Sequence, residues 1–172
     1  MRKVFFCIVL LLSVMTISAQ GVEKRNQFAV ELGFGGNGKA GMDLGLRWQM
    51  NFLPYLAWDV VTAKALTNFD PADDLLVQGM SGLRLTSPVY SGISIYGTGK
   101  VGYGYYPTSI DTGGVCFEIG VGINLNKHVY AGYAFNNQSY SMSINMGSGR
   151  KPKWEDKTMK IKLHEFRIGY TF

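Results

Sequence analysis

The chain has 172 residues, of which 47% are apolar, 13% aromatic and 17% charged, with 22 glycines, 5 prolines and a formal net charge of +5. That length suits one domain, and so few charges beside so many aromatics exclude a disordered chain. Two cysteines cannot staple a disulfide scaffold, and no basic block interleaved with aromatics is present to hold nucleic acid.

The first element is an export signal. Arg2 and Lys3 precede a mostly apolar stretch from Val4 to Ile17, and Ile17-Ser18-Ala19 supplies small residues for a peptidase to cut after Ala19. Crossing a bilayer as a helix takes about 20 apolar residues, so this stretch is too short to anchor the chain. The expected division is a cleaved leader over residues 1–19 and a single domain over 20–172.

From Phe28 onward the hydropathy alternates with period two. Phe28, Val30, Leu32 and Phe34 make the first run, and Met42 to Met50 the second. Leu56, Trp58 and Val60 follow, then Leu75, Val77, Leu83 and Leu85, then Ile93, Ile95, Val101, Tyr103 and Tyr105. The sixth run is Val115 to Leu125, the seventh Val129 to Phe135, and the eighth Phe166 to Phe172. Period two punctuated by turn residues predicts strands, and eight is an even number that an up-and-down barrel can close.

The second face of these strands decides between a soluble sandwich and a membrane barrel. It is rich in glycine and carries Glu31, Asp43, Asp59, Glu118 and Glu165 against Arg47, Arg84, Lys100 and Arg167. Glycine weakens a solvated strand face for no gain, whereas a narrow eight-stranded lumen needs small residues and mutually neutralising charges. The prediction is therefore an all-β, eight-stranded antiparallel transmembrane barrel, apolar outside, with those nine charged side chains as an interior network. Trp48, Tyr55, Trp58, Tyr103, Tyr105 and Tyr133 fall towards strand ends, where aromatic girdles sit. Short turns are expected near 51–54, 87–92 and 126–128. Longer loops are expected near 66–74, 106–114 and 145–157, after an unusually short first loop at Gly36–Lys39.

The closing FRIGYTF places Phe166, Ile168, Tyr170 and Phe172 at alternate positions. This resembles the C-terminal strand by which outer-membrane proteins are recognised by the barrel-assembly machinery. With the export signal and the eight runs, the chain resembles the small OmpA/OmpX-like outer-membrane barrels. The resemblance implies an outer-membrane location, that machinery as a partner during biogenesis, and contact with outer-membrane lipid and lipopolysaccharide, with the chain a monomer.

In the last hairpin the alternation changes sides. Tyr140, Met142, Ile144 and Met146 are even-numbered where Val129 to Phe135 were odd, and Met159, Ile161 and Leu163 are odd where Phe166 to Phe172 are even. Pairing Asn136 with Glu165 centres the turn near Arg150 and Lys151. The expectation is a hairpin continuing above the bilayer, with Ser139, Ser141, Ser143, Lys160, Lys162 and His164 on its former lipid side and its apolar side towards the barrel axis. The alternative is a pair of β-bulges with both strands still in lipid.

No catalytic set is expected. His128 has no serine near it, and His164 is expected opposite Ser139 but with Glu165 pointing the other way, so an orienting carboxylate is missing. Cys116 reads as a buried filler. No His/Cys/Asp cluster has metal-ligand spacing, and Asp70, Asp73 and Asp74 lack that of a calcium loop, so no cofactor is expected. Arg150, Lys151, Lys153, Lys157 and Lys160, with Lys162, would meet the phosphates of lipopolysaccharide. The expected function is a structural or surface-interaction role through the outer loops and last hairpin. The alternatives are a lipid A-modifying enzyme and a narrow solute channel.

Overall fold

A computed structural model of the chain describes residues 25–36, 40–67, 75–107, 112–145 and 154–172, and within these it leaves aside the side chains of 141–157 and 159. The export signal of residues 1–19 lies outside the described residues, as do Asp70, Asp73 and Asp74 and the loop bases Arg150, Lys151 and Lys153.

Eight strands form one closed antiparallel barrel in chain order: β1 (Asn26–Gly36), β2 (Gly41–Leu53), β3 (Leu56–Thr67), β4 (Leu76–Thr86), β5 (Ser94–Tyr106), β6 (Thr112–Asn124), β7 (Val129–Asn145) and β8 (Trp154–Thr171). Closure is made by β1 against β8, from Ala29↔Thr171 to Gly36↔His164. The Phe172 amide completes the seam by donating to the Phe28 carbonyl at 2.8 Å. No strand edge is left open along the wall, which a sheet surrounded by hydrocarbon requires.

The connections differ between the two ends. At the turn end, β2–β3 and β6–β7 are joined tightly, and β4–β5 closes on Ser91 and Gly92, both with positive φ (50° and 83°). Two consecutive left-handed residues give the hairpin twist of a type I′ turn, and glycine takes the second place without strain. At the loop end, β7 and β8 extend well beyond their neighbours. They have 17 and 18 residues where the other strands have 11 to 13.

Alternation sorts the side chains as a membrane wall needs. Outward positions hold Leu46, Ile95, Val101, Val121 and Phe166, each more than half exposed. Inward positions hold Glu31, Arg47, Asp59, Glu118 and the other buried charges, all nearly inaccessible, and Lys160 and Lys162 face out. A water-soluble domain has the opposite arrangement, and an exterior this apolar has hydrocarbon as its natural solvent.

One irregularity resets the pattern. In β3, Asp59 pairs with Gly82 and Thr62 with Met80, so Val60 and Val61 together face one residue of β4. The bulge turns the even-numbered residues beyond it inward, and Ser81 Oγ donates to the Asp59 carbonyl it frees at 3.1 Å. Without it, Lys64 would face lipid, where a lysine near the midplane costs about 2–4 kcal/mol.

The last hairpin contains no such bulge. Tyr130, Ala134, Asn136, Gln138 and Tyr140 stay inward along β7, as do Ile161, Leu163, Glu165 and Arg167 along β8. The geometry is continuous; the chemistry on each face is what changes. The register differs from the sequence expectation. Asn136 pairs with Leu163 rather than Glu165, and Ser139 pairs with Lys160 while His164 faces Phe135. A slip of two residues keeps every side chain on its face, so alternation cannot detect it. The strands also pair further than expected, to Asn145↔Trp154, which narrows the loop placed at 145–157.

Candidate functional site: a filled lumen beneath a capped mouth

The interior is built in layers along the barrel axis. At the turn end, Arg84 Nη2 donates to Asn124 Oδ1 at 2.8 Å, and Asn124 Nδ2 donates to Ser94 Oγ at 2.8 Å. The Arg84 guanidinium lies 3.7 Å from the Tyr96 ring centre, and Tyr96 meets Tyr130 edge-on at 5.8 Å. Glycines make room for these rings. A Cβ on Gly132 would strike the Tyr96 hydroxyl, and one on Gly169 would overlap the Tyr130 ring.

Above this layer lies a mesh of ion pairs. Tyr130 donates to Glu31 Oε1 at 2.6 Å, and Arg47 lies 3.4 Å from Glu31 and 3.8 Å from Asp59. Lys100 bridges Asp59 at 3.5 Å and Glu118 at 3.4 Å. Arg167 grips Glu118 with two nitrogens, at 3.0 and 2.8 Å, and Glu165 at 2.6 Å. Lys64 donates to Glu118 and Glu165, each at 2.7 Å. Four acids and four bases from six strands are thus joined in one connected set.

Of the nine interior charges read from sequence, eight take part in these contacts or in the Arg84 layer. Asp43 is buried on the same side, beside Glu165 and within the field of Lys64 and Arg167. Lys64 is the member the sequence reading missed. It completes the lumen as five acids against five bases, and its ammonium joins Glu118 and Glu165. The signal that could have found it is the doublet Val60-Val61, where two apolar neighbours interrupt strict alternation.

Next comes an uncharged layer. Gln78 Nε2 donates to Gln138 Oε1 at 2.8 Å, and Asn136 Nδ2 donates to Gln78 Oε1 at 2.8 Å. The loop end is then closed by Leu66, Leu76, Tyr106, Tyr140, Ile161 and Leu163, packed as one buried cluster. A gap bordered by Glu31, Arg47, Arg84, Lys100 and Arg167 has room for about one water molecule. An eight-stranded lumen is just wide enough for side chains to fill, and these fill it.

The remaining candidates fall outside the lumen. Phe166, Ile168, Tyr170 and Phe172 face outward on β8 beside the seam, with Tyr170 stacked on His128 at 5.5 Å. His164 is exposed on the exterior, its Nδ1 against the Tyr133 hydroxyl and its ring 5.2 Å from Phe135. Ser139 lies two outward positions away, opposite Lys160, and Glu165 points into the lumen, so these residues do not form a triad. Cys116 is free and buried. Among the described residues no three His, Cys, Asp or Glu side chains are grouped to hold a metal ion. Of the basic set read as a lipopolysaccharide contact, Lys160 is exposed on β8, and Lys157 lies on β8 with its side chain outside the described set.

Fold and solvent-inverted faces together define a transmembrane β-barrel of the small outer-membrane type. No protein-family model and no curated protein matches the sequence. Among solved structures, the barrel superimposes on neisserial surface protein A with a TM-score of 0.56 at 10% identity, covering 85% of this chain and 94% of that one. The outer membrane protein OprG from Pseudomonas aeruginosa gives 0.53 at 14% identity, covering 90% of this chain and 99% of that one. The N-terminal β-barrel domain of OprF from the same organism gives 0.51 at 10% identity, covering 86% of this chain and 98% of that one. At these identities the likeness establishes the fold.

Proposed function

We propose that the chain is an integral outer-membrane barrel that acts through its surface, in a structural or surface-interaction role carried by the outer loops and the last hairpin. The observation that supports this reading is the filling of the lumen: ion pairs, an amide layer and an apolar cap occupy the axis from one end to the other. A solute channel needs a continuous wet path, and opening one here means breaking buried ion pairs, at about 3–5 kcal/mol for each partner removed. An acyl-transfer enzyme needs a nucleophile and base within hydrogen-bond reach, and His164 has a tyrosine instead of a serine beside it.

In this reading Phe166, Ile168, Tyr170 and Phe172 are the strand that the barrel-assembly machinery reads during insertion, and the export signal delivers the chain to it. Lipopolysaccharide is the lipid partner at the loop end, met by Lys160 and by the bases Arg150, Lys151, Lys153 and Lys157. The finished barrel works as a monomer.

The test is conductance of the purified barrel in planar bilayers, with an open porin as the positive control. Flat traces for the native barrel support a closed surface protein. Regular ion-conducting steps from the native barrel would favour the channel.

A further inference from the structure

We propose that the exterior face of β8 at Lys160 and Lys162, with His164 directly beneath them, binds the phosphates of an outer-leaflet lipid headgroup. The inference rests on the outer-membrane reading above and names the site of its lipid contact.

The first argument is the placement of charge. Among the strand side chains described, Glu31, Asp43, Arg47, Asp59, Lys64, Arg84, Lys100, Glu118, Glu165 and Arg167 all point into the lumen. Lys160 and Lys162 alone among them carry charge on the exterior, and both are exposed. A barrel that turns every other described strand ion inward, by a bulge in the case of Lys64, places these two facing out.

The second argument is their height. Read up the outward positions of β8, the chemistry runs Phe172, Tyr170, Ile168, Phe166, then His164, Lys162 and Lys160. On the neighbouring strand the outward positions run Val129, Ala131, Tyr133, Phe135, then Asn137 and Ser139. The strands change from apolar to polar within one rung of each other: β8 at His164, opposite Phe135, and β7 at Asn137, opposite Lys162. Four residues separate Phe166 from Lys162, about 13 Å of strand, or about 10 Å along the membrane normal for a strand tilted by about 40°. That distance carries the ammonium groups from the acyl boundary to the headgroup layer. Alternate residues on one strand are about 6.7 Å apart, so both lysines reach a single phosphorylated headgroup.

The third argument is rigidity. The inner face of this same stretch is Ile161 and Leu163, locked against Leu66, Leu76, Tyr106 and Tyr140. On the outer face His164 is held between Tyr133 and Phe135. The lysines therefore stand on a packed platform, and binding has little backbone to order.

The experiment measures binding of bisphosphorylated lipid A, dephosphorylated lipid A and inorganic phosphate to the full barrel in detergent micelles. Variants are Lys160→Gln, Lys162→Gln and the pair. Each lysine near a phosphate surface contributes about fivefold, so the double variant should bind bisphosphorylated lipid A more than tenfold weaker. Dephosphorylated lipid A should bind the native barrel as poorly as the double variant binds the phosphorylated form, and millimolar phosphate should not compete. Equal binding by native barrel and double variant overturns the site, provided the variant keeps the gel-mobility shift of a folded barrel. Equal binding of the two lipids overturns it as well, and displacement by inorganic phosphate would make it a site for free phosphate. Absence of the mobility shift in the native protein would instead remove the barrel reading on which the site depends.

Discussion

Among the described ion pairs Glu118 faces more cations than any other lumen carboxylate: Lys64, Lys100 and Arg167 all reach it within 3.4 Å. Replacing it with glutamine leaves three buried ammonium or guanidinium groups short of a counter-charge, while the volume stays the same. Glu118→Gln is expected to lower stability by about 3–5 kcal/mol in urea unfolding from lipid vesicles. Lys160→Gln, on the exterior, should leave the midpoint unchanged. Glycine makes a second residue-scale prediction. The tip of the Tyr130 ring occupies the space in front of Gly169, where a methyl group would have to displace it. Gly169→Ala is expected to cost about 1–3 kcal/mol by the same assay, and restoring space with Tyr130→Leu in that background should recover part of the loss. An additive double variant would mean the ring and the glycine are not in contact.

At the scale of elements, the bulge in β3 and the last hairpin separate what the sequence makes legible from what it does not. Eight runs of period two are readable because each lipid-facing position must be apolar and each neighbour must suit a crowded lumen. The inward placement of Lys64 is not readable by counting from Trp58, since one extra residue inverts every later assignment. Deleting Val60 removes the extra residue and leaves Asp59, Thr62 and Lys64 inward on a regular strand, so the deletion variant should fold as Val60→Ala does, whereas inserting an alanine after Thr62 turns Lys64 to lipid and should give no folded barrel. In the hairpin the exchange of faces is written in the residues, because Tyr140, Ile161 and Leu163 fall on the lumen side of an unbroken alternation. The register is not, since a slip of two changes partners without changing faces, and only the structure pairs Asn136 with Leu163. Pairing to Asn145↔Trp154 predicts protected amides by hydrogen exchange on alternate residues of 139–145 and 154–160. Rapid exchange throughout would contradict the extended hairpin. Tyr96 and Tyr130 illustrate the opposite limit: Tyr103 and Tyr105 face out, but these two fill the lumen because glycines across from them leave room.

For the whole molecule, the central claim is a closed transmembrane barrel whose lumen is full. Everything said of inside and outside depends on hydrocarbon as the solvent of the apolar face. Closure depends on the seam, where Phe172 donates to Phe28 and Ala29 meets Thr171. Barrels of this kind stay folded in detergent until heated, because every backbone group is paired and no edge is free to unzip. The decisive measurement is therefore gel mobility of the outer-membrane fraction, boiled and unboiled, for the native chain and for one lacking Phe172. A faster unboiled band in the native chain, lost on boiling and lost without Phe172, is the predicted result. A single band at one position under both conditions, with the protein recovered in the periplasmic fraction, would contradict the account and reverse the assignment of every face.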